Sequence, residues 1–175
     1  DLHLLETWRD RHGFENCLWE GEAMFLLGLA WCEAGEYELS KKFYMNAHRL
    51  LWREGVKKKA VKALLNNVVA ESRLNKEKKL IVDYLFVAQK AVEVEDSIVA
   101  GICHLNIAQE YRKMGAPESA LKSVNKSIEF MQADRGINHF YFSLLERCHI
   151  YIDLDRLSEA RLDYQIAQES PFPEI

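Results

Sequence analysis

The sequence predicts an all-α chain built from consecutive antiparallel helix hairpins, and three observations carry that prediction. Apolar residues return at helical spacing through nearly the whole length, with no run of strict alternation that would mark a strand. Gly, Asn or Pro punctuates these runs at short intervals, so each helix is followed at once by another. Landmark residues also recur in pairs twelve apart, Gly28 with Ser40, Val69 with Ile81, Ala108 with Ala120 and Cys148 with Ala160, in units spaced 41, 39 and 40 residues. A single hairpin cannot bury its apolar faces, and repetition at a fixed period supplies the missing neighbours.

Composition fits this frame. With 175 residues, 49% hydrophobic, and only three Pro and eight Gly, the chain can bury a sizeable core and is too apolar to be disordered. It has no run of about eighteen apolar residues, so no membrane span is expected. The opening Asp1-Leu2-His3-Leu4-Leu5-Glu6 has neither a starting Met nor the basic-then-apolar order of a signal peptide, so a segment of a longer cytoplasmic protein is expected. Cys17, Cys32, Cys103 and Cys148 form no CxxC pair, and reduced thiols are expected of them.

In chain order, a first helix over about Leu2–Arg11 can place Leu4, Leu5 and Trp8 on one face before Gly13 interrupts it. A second runs from about Cys17 to Trp31 and ends at Gly35, which suits a left-handed cap. Its partner, about Tyr37–Arg53, sets Phe43, Tyr44, Ala47, Leu50 and Leu51 toward a core. The next hairpin takes about Lys57–Leu74 and Lys76–Val92, with Asn75 in the turn. The third takes about Asp96–Met114 and Pro117–Met131, with Pro117 in the first turn of its helix. The fourth takes about Ile137–Ile152 and Leu157–Gln168, with Asp155 as N-cap. The expected organisation is a leading helix and linker over residues 1–20, then one continuous array of four hairpins at 21–55, 57–93, 96–133 and 137–173.

The series Met24, Leu27-Gly28, Trp31, Ser40, Tyr44, Ala47 resembles the tetratricopeptide repeat, a helix-turn-helix unit. The third unit matches with His104, Ile107-Ala108, Tyr111, Ala120, Val124 and Ser127. The fourth matches with Leu144, Cys148, Tyr151, Ala160, Tyr164 and Ala167, followed by Pro171 and Pro173. The second is degenerate, with Val69, Ser72, Ile81, Leu85 and Ala88 in the key places. The resemblance covers about Gly21 to Pro173, and the leading helix would be the second half of a preceding repeat. Units near 40 residues exceed the usual length of about 34. In this they resemble arrays of bacterial peptide-sensing regulators, of large signal-transducing ATPases and of kinesin-light-chain-like adaptors.

The resemblance implies a right-handed superhelical solenoid whose first helices line a concave groove for a protein or peptide segment. Groove-facing candidates are Asn66 and Asn67 in the second unit, Leu105, Asn106, Gln109 and Lys113 in the third, and Phe142, Leu145, Glu146 and His149, with Asp153, in the fourth. Asn67 and Asn106 are read as equivalent. A side-chain amide suits a peptide backbone because it both donates and accepts. Two such contacts contribute about 1–3 kcal/mol against the roughly 8 kcal/mol of micromolar binding. Apolar walls, with Leu105, Phe142 and Leu145 as candidates, must therefore supply most of the affinity. The alternative for the amides is that they satisfy neighbouring backbone or face water. The family's two-carboxylate clamp is not expected, because the places of its flanking lysines hold Phe25 and Ile102.

Two other surfaces enter the sequence reading. From Arg53 to Lys90 there are ten Lys or Arg against four Asp or Glu, a local balance of +6 while the remainder carries −10. Arg73, Lys76, Lys78 and Lys79 crowd one turn and could meet phosphates or an acidic protein. The acidity of the whole chain and the ordinary use of Lys on solvated helices set nucleic acid below a protein partner. Exposed aromatics such as Trp52 or Phe140 would serve self-association into a homo-oligomer, the second reading.

Catalysis is not expected. The lone Glu-x-x-His of Glu146 and His149 falls short of the paired motifs of a di-metal bundle. Cys103-His104 and Cys148-His149 are neighbours in sequence, and successive helical residues point in different directions. No phosphate loop, nucleophile elbow or HExxH is present, and no cofactor or metal is expected.

Overall fold

A computed structural model of the chain describes residues 17–133 and 138–170, with side chains from Leu18 onward. The expected leading helix, Gly13, Ile137, Pro171 and Pro173 lie outside the described residues. These comprise eight α-helices and no strand: α1 Cys17–Glu33, α2 Tyr37–Arg53, α3 Lys57–Leu74, α4 Ile81–Glu93, α5 Ser97–Lys113, α6 Pro117–Met131, α7 Asn138–Asp153 and α8 Leu157–Gln168. They fall into two compact units that divide between Lys78 and Lys79, α1 to α3 in the first and α4 to α8 in the second.

Five of the turns are copies of one another. Each passes over a residue with positive φ, namely Gly35 (82°), Gly55 (79°), Glu95 (56°), Gly115 (69°) and Asp155 (56°). The next N–H donates to the carbonyl five residues back, from Glu36 to Trp31 at 2.9 Å, Val56 to Leu51 at 2.9 Å, Asp96 to Ala91 at 2.9 Å, Ala116 to Tyr111 at 3.0 Å and Arg156 to Tyr151 at 2.8 Å. This is a Schellman closure, which satisfies carbonyls that a helix end leaves open. The donor residue then opens the next helix, its own carbonyl accepting from Ser40, Ala60, Ala100, Ala120 or Ala160 N–H. Those five small residues are all buried. The turns therefore lie on a grid of twenty residues, half of one hairpin repeat.

The grid corrects four expectations. Asp155 is not the N-cap of α8; it takes the left-handed position, and Arg156 stands at the cap. The landmarks Val69, Ile81 and Leu85 of the degenerate repeat shift by one residue, since Val68, Leu80 and Tyr84 lie 40 residues from Gly28, Ser40 and Tyr44. Leu80 and Tyr84 are buried, whereas Ile81 is half-buried and Leu85 exposed. Helix α4 starts at Ile81 rather than Lys76, because residues 75–80 replace the tight turn with a loop. There Asn75 has φ −119°, Lys78 N–H donates to Asn75 O at 3.0 Å, and the Lys78 ammonium is held by Glu71 at 2.9 Å. Finally, Phe140 is buried, inside a cluster with Met131, Tyr141, Leu144 and Ala167.

Within the first unit the packing of α1 on α2 rests on one small residue. The Ser40 hydroxyl donates to Gly28 O at 2.8 Å in the core. A Cβ on Gly28 would stand 2.6 Å from Cδ1 of Tyr44. The Tyr44 ring covers Gly28 and meets Phe25 edge-on with centroids 5.9 Å apart. Helix α2 buries Ser40, Tyr44, Ala47 and Leu51, one stripe at helical spacing. Met24, Ala60 and Ala63 join Ala47 and Leu51 in a single apolar cluster. A fully buried Leu such as Leu51 contributes about 2 kcal/mol relative to exposure.

In the second unit the same device recurs with different residues. Ser127 on α6 donates to Gly101 O at 2.7 Å and meets the Ser143 hydroxyl at 2.9 Å. Ala108, Ala120, Val124 and Ile150 form a cluster there. Arg147 binds the buried Asp163 carboxylate through two nitrogens, each at 2.7 Å, and Asn125 at 2.9 Å. Arg147 occupies the place held by the buried Leu27 and Ile107 in the first and third repeats.

Candidate functional site

Helices α5 and α7 are the first helices of their hairpins and stand side by side in the second unit. Asp96 caps α5, its carboxylate accepting from Val99 N–H at 3.1 Å. Val99, Cys103 and Ile107 bury one stripe of that helix, leaving Ile102, Asn106, Gln109 and Lys113 as another. The first three are half-buried and Lys113 is exposed. On α7 the residues 40 further along are Phe142, Glu146, His149 and Asp153. Phe142 is 39% exposed, with its ring perpendicular to that of His139 and the centroids 6.1 Å apart; Leu145 is half-buried against the cluster of Phe140, Tyr141 and Leu144, and His149 is exposed.

Arg112 ties the two helices. Its Nε donates to Asp153 Oδ2 at 3.0 Å and its Nη1 to Glu146 Oε1 at 3.2 Å. Glu146 is buried, so its charge requires this partner. Glu146 therefore serves as a strut between hairpins rather than a ligand contact, which corrects its place among the groove candidates. Leu105 is corrected likewise: at 5% exposure it belongs to the core and offers no wall to a ligand. Asn106 donates from Nδ2 to Ile102 O one turn back at 3.0 Å, while Lys113 pairs with Glu110 at 2.8 Å.

The asparagines of the first unit serve packing. Asn67 donates to Lys41 O on α2 at 3.1 Å, joining α3 to its neighbour. Asn66 hydrogen-bonds the Tyr44 hydroxyl, whose pKa is nonetheless pushed up to about 12, chiefly by burial and then by the charge of Cys32. Register makes Asn66, not Asn67, the equivalent of Asn106, because the interval is 40. Asn106 and Gln109 lie on α5 and Phe142, Leu145 and His149 on α7, two helices tied by Arg112, whereas Asn66 and Asn67 lie on α3 in the first unit.

The basic turn is also partly spent. Glu71, 12% exposed, is gripped by Lys41 from α2 and by Lys78. Lys41, Lys78 and Asn75, in that order, hold its carboxyl down at about 2. Arg73, Lys76 and Lys79 are exposed. Sequence reading missed the struts Arg112–Glu146 and Arg147–Asp163. A usable signal existed for the second: Arg147 stands where the first and third repeats carry Leu27 and Ile107.

Among the described residues no three of His, Cys, Asp and Glu stand together to hold a metal ion, and no helix is long and apolar enough to cross a membrane. Burial pushes the Cys103 thiol up to about 12, with the Asp96 charge adding to it. It pushes the Cys148 thiol up as well, with Asp163 contributing. Neither thiol is prepared as a nucleophile.

Consecutive helix hairpins, with five of their connections made by one turn on a fixed period, define an all-α repeat fold of the tetratricopeptide type. No protein-family model matches the chain, and no curated protein sequence matches it. Solved structures do. The crystal structure of the apo form of RapI superposes with a TM-score of 0.83 at 10% identity, over 95% of this chain and 47% of that one. BtubC (BKLC) from P. vanneervenii superposes with a TM-score of 0.68 at 13% identity, over 85% of this chain and 61% of that one. The chain thus spans about half the length of the first and three fifths of the second. At such identities the likeness establishes the fold.

Proposed function

We propose that this chain is a protein- or peptide-binding repeat segment of a larger cytoplasmic protein, and that the face shared by α5 and α7 receives the partner. The observation that carries this reading is the pair of stripes 40 residues apart, Ile102 and Gln109 on one with Asn106 between them and Phe142 and His149 on the other with Glu146 between them, on helices locked together by Arg112. Such a face has apolar area for affinity and amides and an imidazole for register, on a support that need not rearrange. Partner docking or ligand sensing within a bacterial regulator is the specific form we favour.

The test is selection of twelve-residue peptides from a random display library on the immobilised chain. Peptides that bind should weaken at least tenfold on Phe142→Ala and on Gln109→Ala with His149→Ala, each variant confirmed folded. Selected peptides indifferent to all of these would remove the reading. Self-association remains a second reading, with Trp52 exposed on α2 as its support. Light scattering that shows a concentration-independent monomer would discard it.

A further inference from the structure

We propose that the junction of α2 and α3 is a second docking site, for an acidic protein segment that carries a leucine-class side chain. A cleft of about 390 Å³ opens on α2, lined by Met45, Asn46, His48, Arg49 and Trp52. Met45 is 46% and Trp52 36% exposed, on a helix whose opposite stripe, Tyr44 to Leu51, is buried. The walls are held without a ligand. Arg49 donates to Asn46 Oδ1 at 3.2 Å, and His48 Nδ1 bonds Ala60 O at 3.0 Å. Around the Trp52 indole, the His48 ring lies 5.8 Å away and the Lys57 ammonium 5.7 Å from the centroid. The apolar part of the lining, the Met45 side chain and the Trp52 surface left exposed, has room for one aliphatic side chain of a partner.

Charge decides the rest of the partner. Residues 49–62 contain six Lys or Arg and one acid, Glu54. Lys59 is neutralised by Glu22, whereas Arg49, Lys57, Lys58 and Lys62 are exposed. The first turn of α3 carries no acid and its N-cap is Val56 with no side-chain cap. Cations there oppose the positive end of the helix dipole, so the free protein holds an uncompensated potential that an acidic segment would relieve. A nucleic acid would answer the lysines but leave the apolar cleft empty, and the chain as a whole, at net −4, repels a long polyanion. An acidic segment with one aliphatic anchor answers both features.

The test uses the full chain, a fluorescein-labelled twelve-residue peptide of Glu and Asp with a central Leu pair, the same peptide with Ser for Leu, and a twelve-nucleotide single strand of DNA. Anisotropy should show binding of the Leu peptide that weakens as salt rises. Affinity should fall at least tenfold for the Ser peptide, for Trp52→Ala and for Arg49→Glu with Lys57→Glu, and stay at the parent value for Phe142→Ala. Met45→Lys supplies a second block of the cleft should Trp52→Ala fold poorly. Backbone amide shifts should cluster between residues 45 and 62. Equal binding of the Ser peptide, DNA binding as tight as the Leu peptide, shifts confined to α5 and α7, or no binding at millimolar peptide would each overturn the proposal.

Discussion

Replacing Gly28 with Ala should destabilise the first unit, although Ala is the better helix former. The new Cβ would lie 2.6 Å from Tyr44 Cδ1 and 2.7 Å from Cε1. Tyr44 has little room to yield: it is 1% exposed, abuts Phe25, and lies under helices pinned by the Ser40 to Gly28 hydrogen bond. Overpacking a tight core costs about 1–3 kcal/mol, and the gain in helix propensity over Gly returns about 1 kcal/mol, so a net loss of up to about 2 kcal/mol is expected. All four Trp residues precede Lys79, so tryptophan fluorescence follows the first unit alone. With a urea m-value of about 2 kcal/mol/M, the fluorescence midpoint should fall by up to about 1 M. Adding Tyr44→Ala should cancel the penalty of the extra methyl in a double-mutant cycle. A midpoint equal to or above that of the parent would show that the ring moves freely and refute the close-contact account.

Other consequences can be measured on the same material. Asp163→Ala, which strands the half-buried Arg147 guanidinium, should cost about 3 kcal/mol, while Arg147→Met with Asp163→Leu should cost less than the sum of the single changes; circular dichroism melts compare them. Glu95→Gly should raise stability by about 1 kcal/mol by relieving a positive φ at a residue with a Cβ, and Gly115→Ala should lower it by a similar amount. Acid should weaken the first unit as pH falls from 4.5 toward 2, because Glu71 has its pKa lowered in the folded state to about 2 and its stabilisation is present only above that window. Lys41→Met should flatten this part of the fluorescence profile. His104 and His139, both lowered by burial first, should make the second unit lose stability as pH falls below 6.5, read by circular dichroism.

Helix hairpins were legible because their determinants are local. Gly35, Gly55 and Gly115 mark left-handed turns, Pro117 marks a helix start, and Tyr37–Arg53, Lys57–Leu74, Pro117–Met131 and Leu157–Gln168 match expectation at both ends. Where the left-handed residue is Glu95 or Asp155, composition gives no such mark, and the N-cap at Asp155 was misplaced for that reason. The degenerate repeat slipped by one residue because Leu80 and Ile81 are equally apolar, and only backbone geometry separates the buried one. Candidate site residues were harder to read. Asn67 and Glu146 carry the chemistry of ligand contacts, yet each spends it on a neighbouring helix, Asn67 on Lys41 O and Glu146 on Arg112. Such pairings join residues 26 and 34 apart, and a single sequence does not state them. The Met45–Trp52 cleft escaped for a related reason: its residues share a helix face, but what makes them a cleft is His48 anchored to Ala60 across the turn.

Amide chemical-shift mapping of the chain with a library-selected peptide tests the central proposal most directly. The account predicts perturbations concentrated at Ile102, Asn106, Gln109, Phe142, Leu145 and His149, lost together in Phe142→Ala. Perturbations that avoid α5 and α7, or that persist unchanged in that variant, would contradict it.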